Sequence, residues 1–280
     1  MRKINIPSES TKIVDFIRQT VQKVGFSQVV IGLSGGVDSA VAAALATKAL
    51  GKENVHVVIL PFGKLHTQAK ENATSLIKQL QIPAHHVHEI EITSIVEELN
   101  KKLNLYSSNP DEVVDEKLTM NSSRFANAFS NNKVRLGNIA ARTRMIVLFD
   151  FSKKLSALVM GTENKSEHIL GYFTRFGDSA SDIEPIQHLY KTEIFKLAKH
   201  LQIPESIVNQ APSANLWENQ TDEGEFGFTY KQADEIICAL IDEQKTEADL
   251  IKQGINQATI NKVKSWIKKM SFKHQTPYII

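Results

Sequence analysis

Apolar positions in the first third of the chain follow two alternating patterns. Apolar residues three or four positions apart predict a helix over 8–24, which Gly25 is placed to end. Short continuous apolar runs predict buried strands. In chain order, the predicted elements after this helix are strand 29–33, strand 55–60, helix 67–80, strand 87–92 and helix 94–103. This alternation predicts an α/β fold, a doubly wound parallel sheet with helices on both faces, in which ligands bind at the carboxyl ends of the strands.

The pattern changes in the middle of the chain. Serine, asparagine and acidic residues over 106–132 predict a loop with one helical piece at 113–120. A long helix is predicted next over 134–154, where apolar residues such as Ile146 indicate extensive burial. The remaining predicted elements are strand 155–160 and helices 233–241, 247–252 and 257–270. Because the sequence has no internal repeat and no linker composition, we expect one domain over 1–280.

Composition excludes several classes of protein. The chain has 280 residues, 42% of them hydrophobic, which is ample for a buried core, and its formal net charge of +2 does not favour a nucleic-acid partner. Its single cysteine, Cys238, cannot form an internal disulfide or a Cys-x-x-Cys pair. The sequence has no signal peptide and no apolar run of about 18 residues. We therefore expect a soluble cytoplasmic protein without a membrane partner.

A glycine turn joins the first predicted strand to an alanine-rich helix. Its residues are Gly32, Leu33, Ser34, Gly35, Gly36, Val37, Asp38 and Ser39. Backbone N–H groups and the positive end of a helix dipole converge at such a junction, where an anion of pyrophosphate size can bind. The Asp38 carboxylate would repel phosphates unless a divalent cation lay between them. The turn therefore predicts a nucleotide phosphate with Mg²⁺, and ordinary helix capping is the alternative.

The turn resembles the pyrophosphate-binding loop of the N-type ATP pyrophosphatases, which cleave ATP between its α and β phosphates. It lacks the ending of a Walker loop and the glycine spacing of a dinucleotide-binding Rossmann unit. Later blocks resemble the ammonia-dependent NAD synthetases more specifically and follow that family's order across nearly the whole chain. These blocks are 137–145, 161–167, 171–178, 189–193, 212–217 and 220–223. The resemblance implies an adenine nucleotide alpha hydrolase-like fold.

The resemblance also implies an activity, the ATP-dependent amidation of deamido-NAD to NAD as the final step of NAD biosynthesis. ATP would adenylate the nicotinate carboxylate with release of pyrophosphate, and ammonia would then displace AMP. It further implies a homodimer that binds deamido-NAD across its interface, with the helix predicted over 134–154 as the candidate contact. Because the chain begins directly at the helix before the nucleotide loop, we expect free ammonia as the donor, and a separate glutaminase partner stays open.

Three sets of site residues follow from matching the family's motifs position by position. The ATP set is residues 32–39 with Thr162, Lys191 and Ser213, and the Mg²⁺ ligands are Asp38 and Glu167. The deamido-NAD set is Arg142, Arg175, Asp182, Phe272 and Lys273. The resemblance assigns catalytic roles to Asp38 and to Lys191, whose charge would follow the departing pyrophosphate. Asp178 or Asp182 would take a proton from ammonium.

Some positions depart from the family's pattern. Arg175 stands where relatives often have lysine, and Phe272 stands where many have histidine. Asn215 replaces an acidic residue that is common at that position. None of these departures affects the phosphate loop or the proposed metal ligands.

Competing interpretations fit the residues less well. A tRNA thiolase would need paired cysteines, and a GMP synthetase would not need the blocks around Arg142, Arg175 and Asp182. A nucleotide sensor without activity would lack Asp38 or Glu167, and both are present. His66, His85, His86 and His88 could form a metal cluster, but their spacing matches no standard zinc pattern.

Overall fold

A parallel sheet forms the centre of the molecule. The computed structural model describes residues 2–63, 67–105, 123–213 and 220–279. Within these residues the strands are β1 (Gln28–Gly32), β2 (Val55–Ile59), β3 (Val87–Glu89) and β4 (Ala157–Met160). Their order is β3-β2-β1-β4, and every pairing is parallel. The direction of winding therefore reverses between β1 and β4, which confirms the predicted doubly wound sheet.

Helices follow the strands in the predicted alternation. The helices of the described part are α1 (Ile6–Lys23), α2 (Val37–Leu50), α3 (Thr67–Leu80), α4 (Thr93–Leu105), α5 (Ser123–Leu155), α6 (Lys165–Leu170), α7 (Lys191–His200), α8 (Glu205–Val208), α9 (Asp222–Phe226), α10 (Tyr230–Ile237), α11 (Glu247–Lys252) and α12 (Gln257–Met270). Short 3₁₀ turns at Lys52–Asn54 and Ala84–His86 immediately precede β2 and β3. None of the helices in the described ranges combines the length and the apolar character needed to cross a membrane.

Side chains of each strand divide between the two faces of the sheet because successive residues point in opposite directions. Val29 and Ile31 of β1 are buried in a core that includes residues of α1, α2 and α7. Val30 lies in a second core with residues of α4 and α5. Helix α2 is almost entirely apolar and buried, since it packs against α1, α7 and the sheet at once. This burial fixes the direction in which the N-terminus of α2 faces the nucleotide loop.

A third apolar cluster joins α6, α10 and α12 beside the sheet. Leu170, Ile237 and Val263 are fully buried in it. Trp266 donates its indole N–H to the carbonyl of Leu170 at 3.0 Å, and its ring packs edge-on against Phe226. This cluster holds α6 and the end of α12 together at one side of the candidate site.

Several predicted boundaries need correction. Helix α5 begins at Ser123, so the loop predicted up to residue 132 is wrong there, while the piece at 113–120 lies outside the described residues. A helix that has already formed extends into a polar sequence at a low cost in free energy, because each added residue gains a hydrogen bond without a new nucleation cost. The third strand ends at Glu89 rather than at 92, and the helix predicted over 233–241 becomes a π-helical turn after Ile237.

Burial of the long helix was also overestimated. Ile139 is only 9% exposed, but Ile146 is 63% exposed, so the predicted burial of Ile146 is wrong. Bounds predicted for α3, α11 and α12 agree with the structure. The expectation of one domain over 1–280 stays a prediction.

Candidate active site

The glycine turn connects β1 to α2 and is held by its own serines. Ser34 N–H donates to Ser39 Oγ at 3.2 Å, and the two hydroxyl oxygens lie 2.9 Å apart. Gly36 N–H donates to Ser34 Oγ at 3.2 Å. Gly35 has φ +80°, and a Cβ there would lie 2.7 Å from Ala69 Cα. Only glycine satisfies both constraints, so the turn can pack its backbone closely against that of Ala69.

A cavity of about 470 Å³ opens beside this turn at the carboxyl ends of β1 and β4. This is the point at which the strand order reverses, where open α/β sheets bind their ligands. All residues of the turn except Gly35 line the cavity. Further predicted site residues in its wall are Thr162, Glu167, Asp178, Lys191, Ser213 and Lys273. The fold therefore gathers residues from distant parts of the chain around one space.

Lys191 forms the centre of a buried charge cluster in this wall. Its ammonium lies 2.6 Å from Asp38 Oδ2 and 2.9 Å from Glu167 Oε1. The lysine side chain is only 4% exposed. Burial alone would lower the pKa of Lys191, but the charges of Asp38 and Glu167 outweigh it and raise the pKa. The lysine is therefore a permanent cation between two carboxylates.

Neighbouring residues hold this cluster in place. Asn164 caps α6, is fully buried and donates its amide to Asp38 Oδ1 at 2.8 Å. Lys191 N–H donates to Ser166 Oγ at 2.8 Å, and Thr192 N–H donates to Asp234 Oδ2 at 2.9 Å. Ser166 Oγ in turn donates to Asp234 Oδ1. The first turns of α6 and α7 are thus tied to each other and, through Asn164, to α2.

Negative charge exceeds positive charge around Lys191. Asp222, which is 3% exposed and accepts a hydrogen bond from Tyr230 at 3.0 Å, adds a third carboxylate whose charge acts on Lys191. Burial, together with the charges of Asp38 and Asp222, raises the pKa of Glu167, and Lys191 offsets this only in part. Carboxylates that already converge on one cation are suited to a hard divalent ion. The residues present therefore fit a Mg²⁺ site that uses Asp38 and Glu167.

Comparison with known proteins assigns the chain to a family. The model of the NAD synthase family matches residues 9–277. This chain belongs to the NAD synthase family. The NH(3)-dependent NAD(+) synthetase of Fusobacterium nucleatum subsp. nucleatum is 37% identical over 276 residues, which cover 99% of this chain and 96% of that protein. The resemblance to the ammonia-dependent NAD synthetases is confirmed.

Two solved structures of similar proteins extend over the same length. The NH3-dependent NAD synthetase from Campylobacter jejuni has a TM-score of 0.74 and 32% identity, covering 99% of this chain and all of that chain. The NMN synthetase from Francisella tularensis has a TM-score of 0.80 and 29% identity, covering 99% of both chains. These likenesses confirm the predicted fold class.

Four of the five residues that the NAD synthase resemblance assigns to deamido-NAD form a connected group. Arg142 Nε donates to the carbonyl of Arg175 at 3.3 Å, and the Arg175 guanidinium lies 5.2 Å from the ring centre of Phe272. Lys273 Nζ donates to the carbonyls of Gly171 and Phe173 at 2.7 and 2.6 Å. Lys273 lines the cavity, whereas Arg142, Arg175 and Phe272 lie outside its lining.

Asp182, the fifth residue, is engaged elsewhere. Its carboxylate accepts a hydrogen bond from Val159 N–H at 2.8 Å, and its own N–H donates to the Val159 carbonyl at 2.9 Å. These bonds attach the 182–183 segment to the edge of β4, where Ile183 bridges Met160. Asp182 does not line the cavity, and its role toward deamido-NAD stays a prediction.

Asp178 occupies a different environment. It lines the cavity and accepts a hydrogen bond from Thr174 N–H at 3.0 Å. Although solvent reaches it through the cavity, the surrounding protein limits its hydration and raises the pKa of its carboxyl, against the effect of the Thr174 bond. Arg144 lies in the same wall and donates to the carbonyl of Leu60 at 3.2 Å. A carboxyl whose pKa is raised is a better proton acceptor than an ordinary aspartate, and Asp178 faces the cavity.

Sequence reasoning assigned no role to several residues that build the site. Asn164 had a recognisable signal, because asparagine followed three positions later by glutamate is a capping box, and that box is formed with Glu167. Asp222 lies in the block 220–223 that resembles the family, although no role was assigned to it. Asp234 had no such signal, since its contacts with the cluster arise only from packing. Asn215 lies outside the described residues.

Proposed function

We propose that this chain catalyses the ATP-dependent amidation of deamido-NAD to NAD, with ammonia as the nitrogen donor. Membership of the NAD synthase family supports a ligase that forms NAD. The observation that carries the site assignment is the Lys191 ammonium between Asp38 and Glu167, in the wall of a cavity that the glycine turn also lines. This arrangement supplies cationic and backbone groups where a phosphate chain would be cleaved.

The first step forms the acyl adenylate. A carboxylate oxygen of the nicotinate group attacks the α-phosphorus of ATP, and the bond from that phosphorus to the oxygen bridging to the β phosphate breaks. Pyrophosphate leaves with the electrons of that bond. The backbone N–H groups of Val37, Asp38 and Ser39 have no acceptor within α2, and these residues line the cavity together with Lys191. These N–H groups and the Lys191 ammonium would neutralise the charge that develops on the pyrophosphate. Lys191 would exchange its contact with Asp38 for one with phosphate oxygens.

Asp38 and Glu167 would hold Mg²⁺ in this complex. The ion would supply positive charge to the phosphate oxygens. The protein's own part is to keep both carboxylates turned toward one point. Asn164 contributes to this by donating its side-chain amide to Asp38 Oδ1 and its backbone N–H to Glu167 Oε2 at 3.4 Å. We propose these two residues as the metal ligands.

In the second step, ammonia attacks the acyl carbon, and AMP leaves as the carbon–oxygen bond to its phosphate breaks. Ammonia is mainly protonated at neutral pH and must lose a proton before it can attack. We assign this proton transfer to Asp178, because it faces the cavity and its pKa is raised above the usual range. Asp182 is the weaker candidate, since its carboxylate is bonded to the β4 backbone.

Deamido-NAD carries a pyrophosphate of its own and therefore needs cationic partners. We propose Arg142, Arg175 and Lys273 for this role, with Phe272 beside Arg175 and Asp182 at the end of the group. A guanidinium at position 175 can bind a phosphate through two parallel hydrogen bonds, which an ammonium cannot. Phe272 contributes a flat apolar surface where histidine could donate a hydrogen bond.

We also propose that the chain forms a homodimer through α4 and α5, which pack against each other. Large apolar side chains are exposed on both helices, including Ile95 at 49% and Leu99 at 43% on α4 and Ile146 at 63% on α5. A water-exposed group of this kind is typical of a protein interface.

The free buried thiol of Cys238 is compatible with the reducing cytoplasm that we propose as the location.

A second candidate function is the amidation of nicotinate mononucleotide, which the likeness to the Francisella tularensis NMN synthetase favours. The test is AMP release from ATP, Mg²⁺ and ammonium chloride, with deamido-NAD, nicotinate mononucleotide or XMP offered separately. We expect AMP matched by NAD only with deamido-NAD. AMP release only with the mononucleotide would move the function to NMN formation, and release with none of them would overturn the proposal.

A further inference from the structure

Two 3₁₀ turns meet at the end of the sheet that is remote from the nucleotide loop. Glu53 lies in the turn Lys52–Asn54 before β2, and His85 and His86 lie in the turn Ala84–His86 before β3. Strands β2 and β3 are paired in parallel, with Val57 opposite Val87. Turns that enter neighbouring parallel strands lie at the same edge, so the three side chains come from two separate parts of the chain to one place.

Their metal-binding atoms are close to one another. One ligand atom each from Glu53, His85 and His86 lies within 4.8 Å of the other two, and no other such group occurs among the described residues. Two ligand atoms of a tetrahedral zinc ion lie about 3.4 Å apart, given a bond length near 2.1 Å. Glu53 and His85 are exposed, so changes of side-chain rotamer can close the remaining distance without moving the backbone.

His86 has an unsatisfied polar atom. The residue is 7% exposed, and its Nδ1 atom has no hydrogen-bond partner. A buried nitrogen without a partner destabilises the folded state, so such an atom in a native protein calls for an explanation. A bound cation or a metal-bound water would provide the missing partner.

His56 packs on the His86 ring and does not compete for the ion. The His56 ring stacks on that of His86 with centroids 4.0 Å apart. Both nitrogens of His56 are engaged, Nε2 with Gln28 Oε1 at 3.1 Å and Nδ1 with His88 Nε2 at 3.5 Å.

We propose that Glu53, His85 and His86 bind a divalent transition-metal ion of the zinc class, with water in the remaining positions. Two imidazoles and one carboxylate suit Zn²⁺, Co²⁺ or Ni²⁺, whereas Mg²⁺ prefers sites made of oxygen. None of the three residues lines the active-site cavity. The ion would link the entry turns of β2 and β3 and so stabilise that edge of the sheet. The spacing of the histidines alone does not reveal this site, because the Glu53 carboxylate comes from a different turn.

The test is zinc binding by the full chain after treatment with a chelator. Isothermal titration with ZnCl₂ is performed in excess MgCl₂, which occupies the active-site carboxylates. We expect one Zn²⁺ per chain, and affinity more than about tenfold weaker in both Glu53→Gln and His85→Gln. Both substituted residues are exposed, so the variants should fold, and circular dichroism checks this.

Matched controls make the result decisive. His88→Gln removes a histidine of the same cluster, and Glu98→Gln removes an exposed glutamate on α4. We expect affinity within about threefold of the wild type in both controls. Thermal melting gives a second readout, since Zn²⁺ should raise the Tm of the wild type and of the controls but not of the ligand variants. Equal affinity in Glu53→Gln, equal loss in His88→Gln, or no saturable zinc binding would each overturn the proposal.

Discussion

The ammonium of Lys191 and the carboxylate of Asp38 lie 2.6 Å apart although 153 positions separate the two residues in the chain. Lys191 begins α7, Asp38 lies in the first turn of α2, and these two helices pack against each other. The ion pair therefore depends on the central packing of the fold. It also places the lysine where it can change partners when a nucleotide and its metal arrive.

Replacement of Asp38 by alanine should abolish adenylation without unfolding the protein. Lys191 keeps Glu167 as a partner at 2.9 Å, while Asn164 loses an acceptor at a cost of about 1–3 kcal/mol. Removal of a group that acts on the reacting phosphates typically lowers kcat by about 10²–10³-fold or more. Pyrophosphate release in a single turnover and a thermal melt measure the two effects.

Asp15→Ala is the matched control, since Asp15 is half exposed on α1 and pairs only with Arg18 among the described contacts. It should release pyrophosphate at the wild-type rate. A similar rate in Asp38→Ala would show that the metal assignment is wrong.

Replacement of Lys191 by methionine should destabilise the protein in a way that Mg²⁺ repairs. The change leaves Asp38 and Glu167 without their cation, and loss of one partner from a buried ion pair costs about 3–5 kcal/mol. Because the two carboxylates then repel each other, MgCl₂ should raise the Tm of this variant more than that of the wild type. Lys196→Met, at an exposed position of α7, should show neither effect. If Mg²⁺ gave no additional stabilisation, the carboxylates would not form a metal site.

Much of the fold could be predicted from the sequence because it depends on local patterns. The strand at 28–32 contains the apolar run Val29–Ile31, and the glycine turn after it has a composition with few structural alternatives. The start of α5 could not be predicted, since the helix reaches Ser123 by extension from its buried part. Exposure of Ile146 was also missed, because helical periodicity does not show whether an apolar side chain meets its own core or another surface.

The candidate site, like the fold, could be predicted from the sequence only where it depends on local patterns. The phosphate loop could be interpreted from chain direction and backbone chemistry. Lys191 and Glu167 were identified only through the family resemblance, since nothing in their local sequence pairs them with Asp38. Asp234, which holds the first turn of α7 through Thr192 N–H, depends on packing between α7 and α10 and could not be predicted.

Replacement of Gly35 by alanine should cost more than its backbone conformation alone explains. An alanine at φ +80° is strained by about 1–2 kcal/mol, and here its Cβ would also collide with the backbone of Ala69. Gly254→Ala is the matched control, because Gly254 has φ +87° and open space around it. Urea unfolding should show a clearly larger loss for Gly35→Ala, together with weaker ATP binding. Equal losses in the two variants would contradict the proposed close contact of the loop with α3.

The Glu184 carboxyl should make stability depend on pH. It accepts hydrogen bonds from Ser181 Oγ at 2.7 Å and Glu163 N–H at 3.2 Å, and burial raises its pKa from 4.5 to about 7. The folded state then binds a proton that the unfolded state releases at lower pH. The protonated Glu184 carboxyl contributes its full stabilisation of the folded state below pH 4.5. This contribution, at most about 3 kcal/mol, is lost as the pH rises through about 7.

Urea unfolding of Glu184→Gln across this pH range measures the effect. The variant should lose less stability than the wild type as pH rises, because its amide does not titrate. Glu98→Gln, an exposed change, should keep the wild-type dependence. An identical pH dependence in Glu184→Gln and the wild type would show that Glu184 ionises normally in the folded protein.

Replacement of Ile146 by aspartate should separate the proposed dimer. At an interface position that contributes strongly to association, a buried charge should weaken the association free energy by at least about 2 kcal/mol. Ile146 is 63% exposed in the single chain, so the change should not unfold it. Ile251→Asp, at a 47% exposed isoleucine of α11, is the matched control and should remain dimeric.

Sedimentation at micromolar concentration gives the mass of each variant. We expect a higher KM for deamido-NAD in Ile146→Asp, with ATP binding unchanged. A wild-type chain that is monomeric and active would remove the dimer, and a dimeric Ile146→Asp would move the interface away from this part of α5.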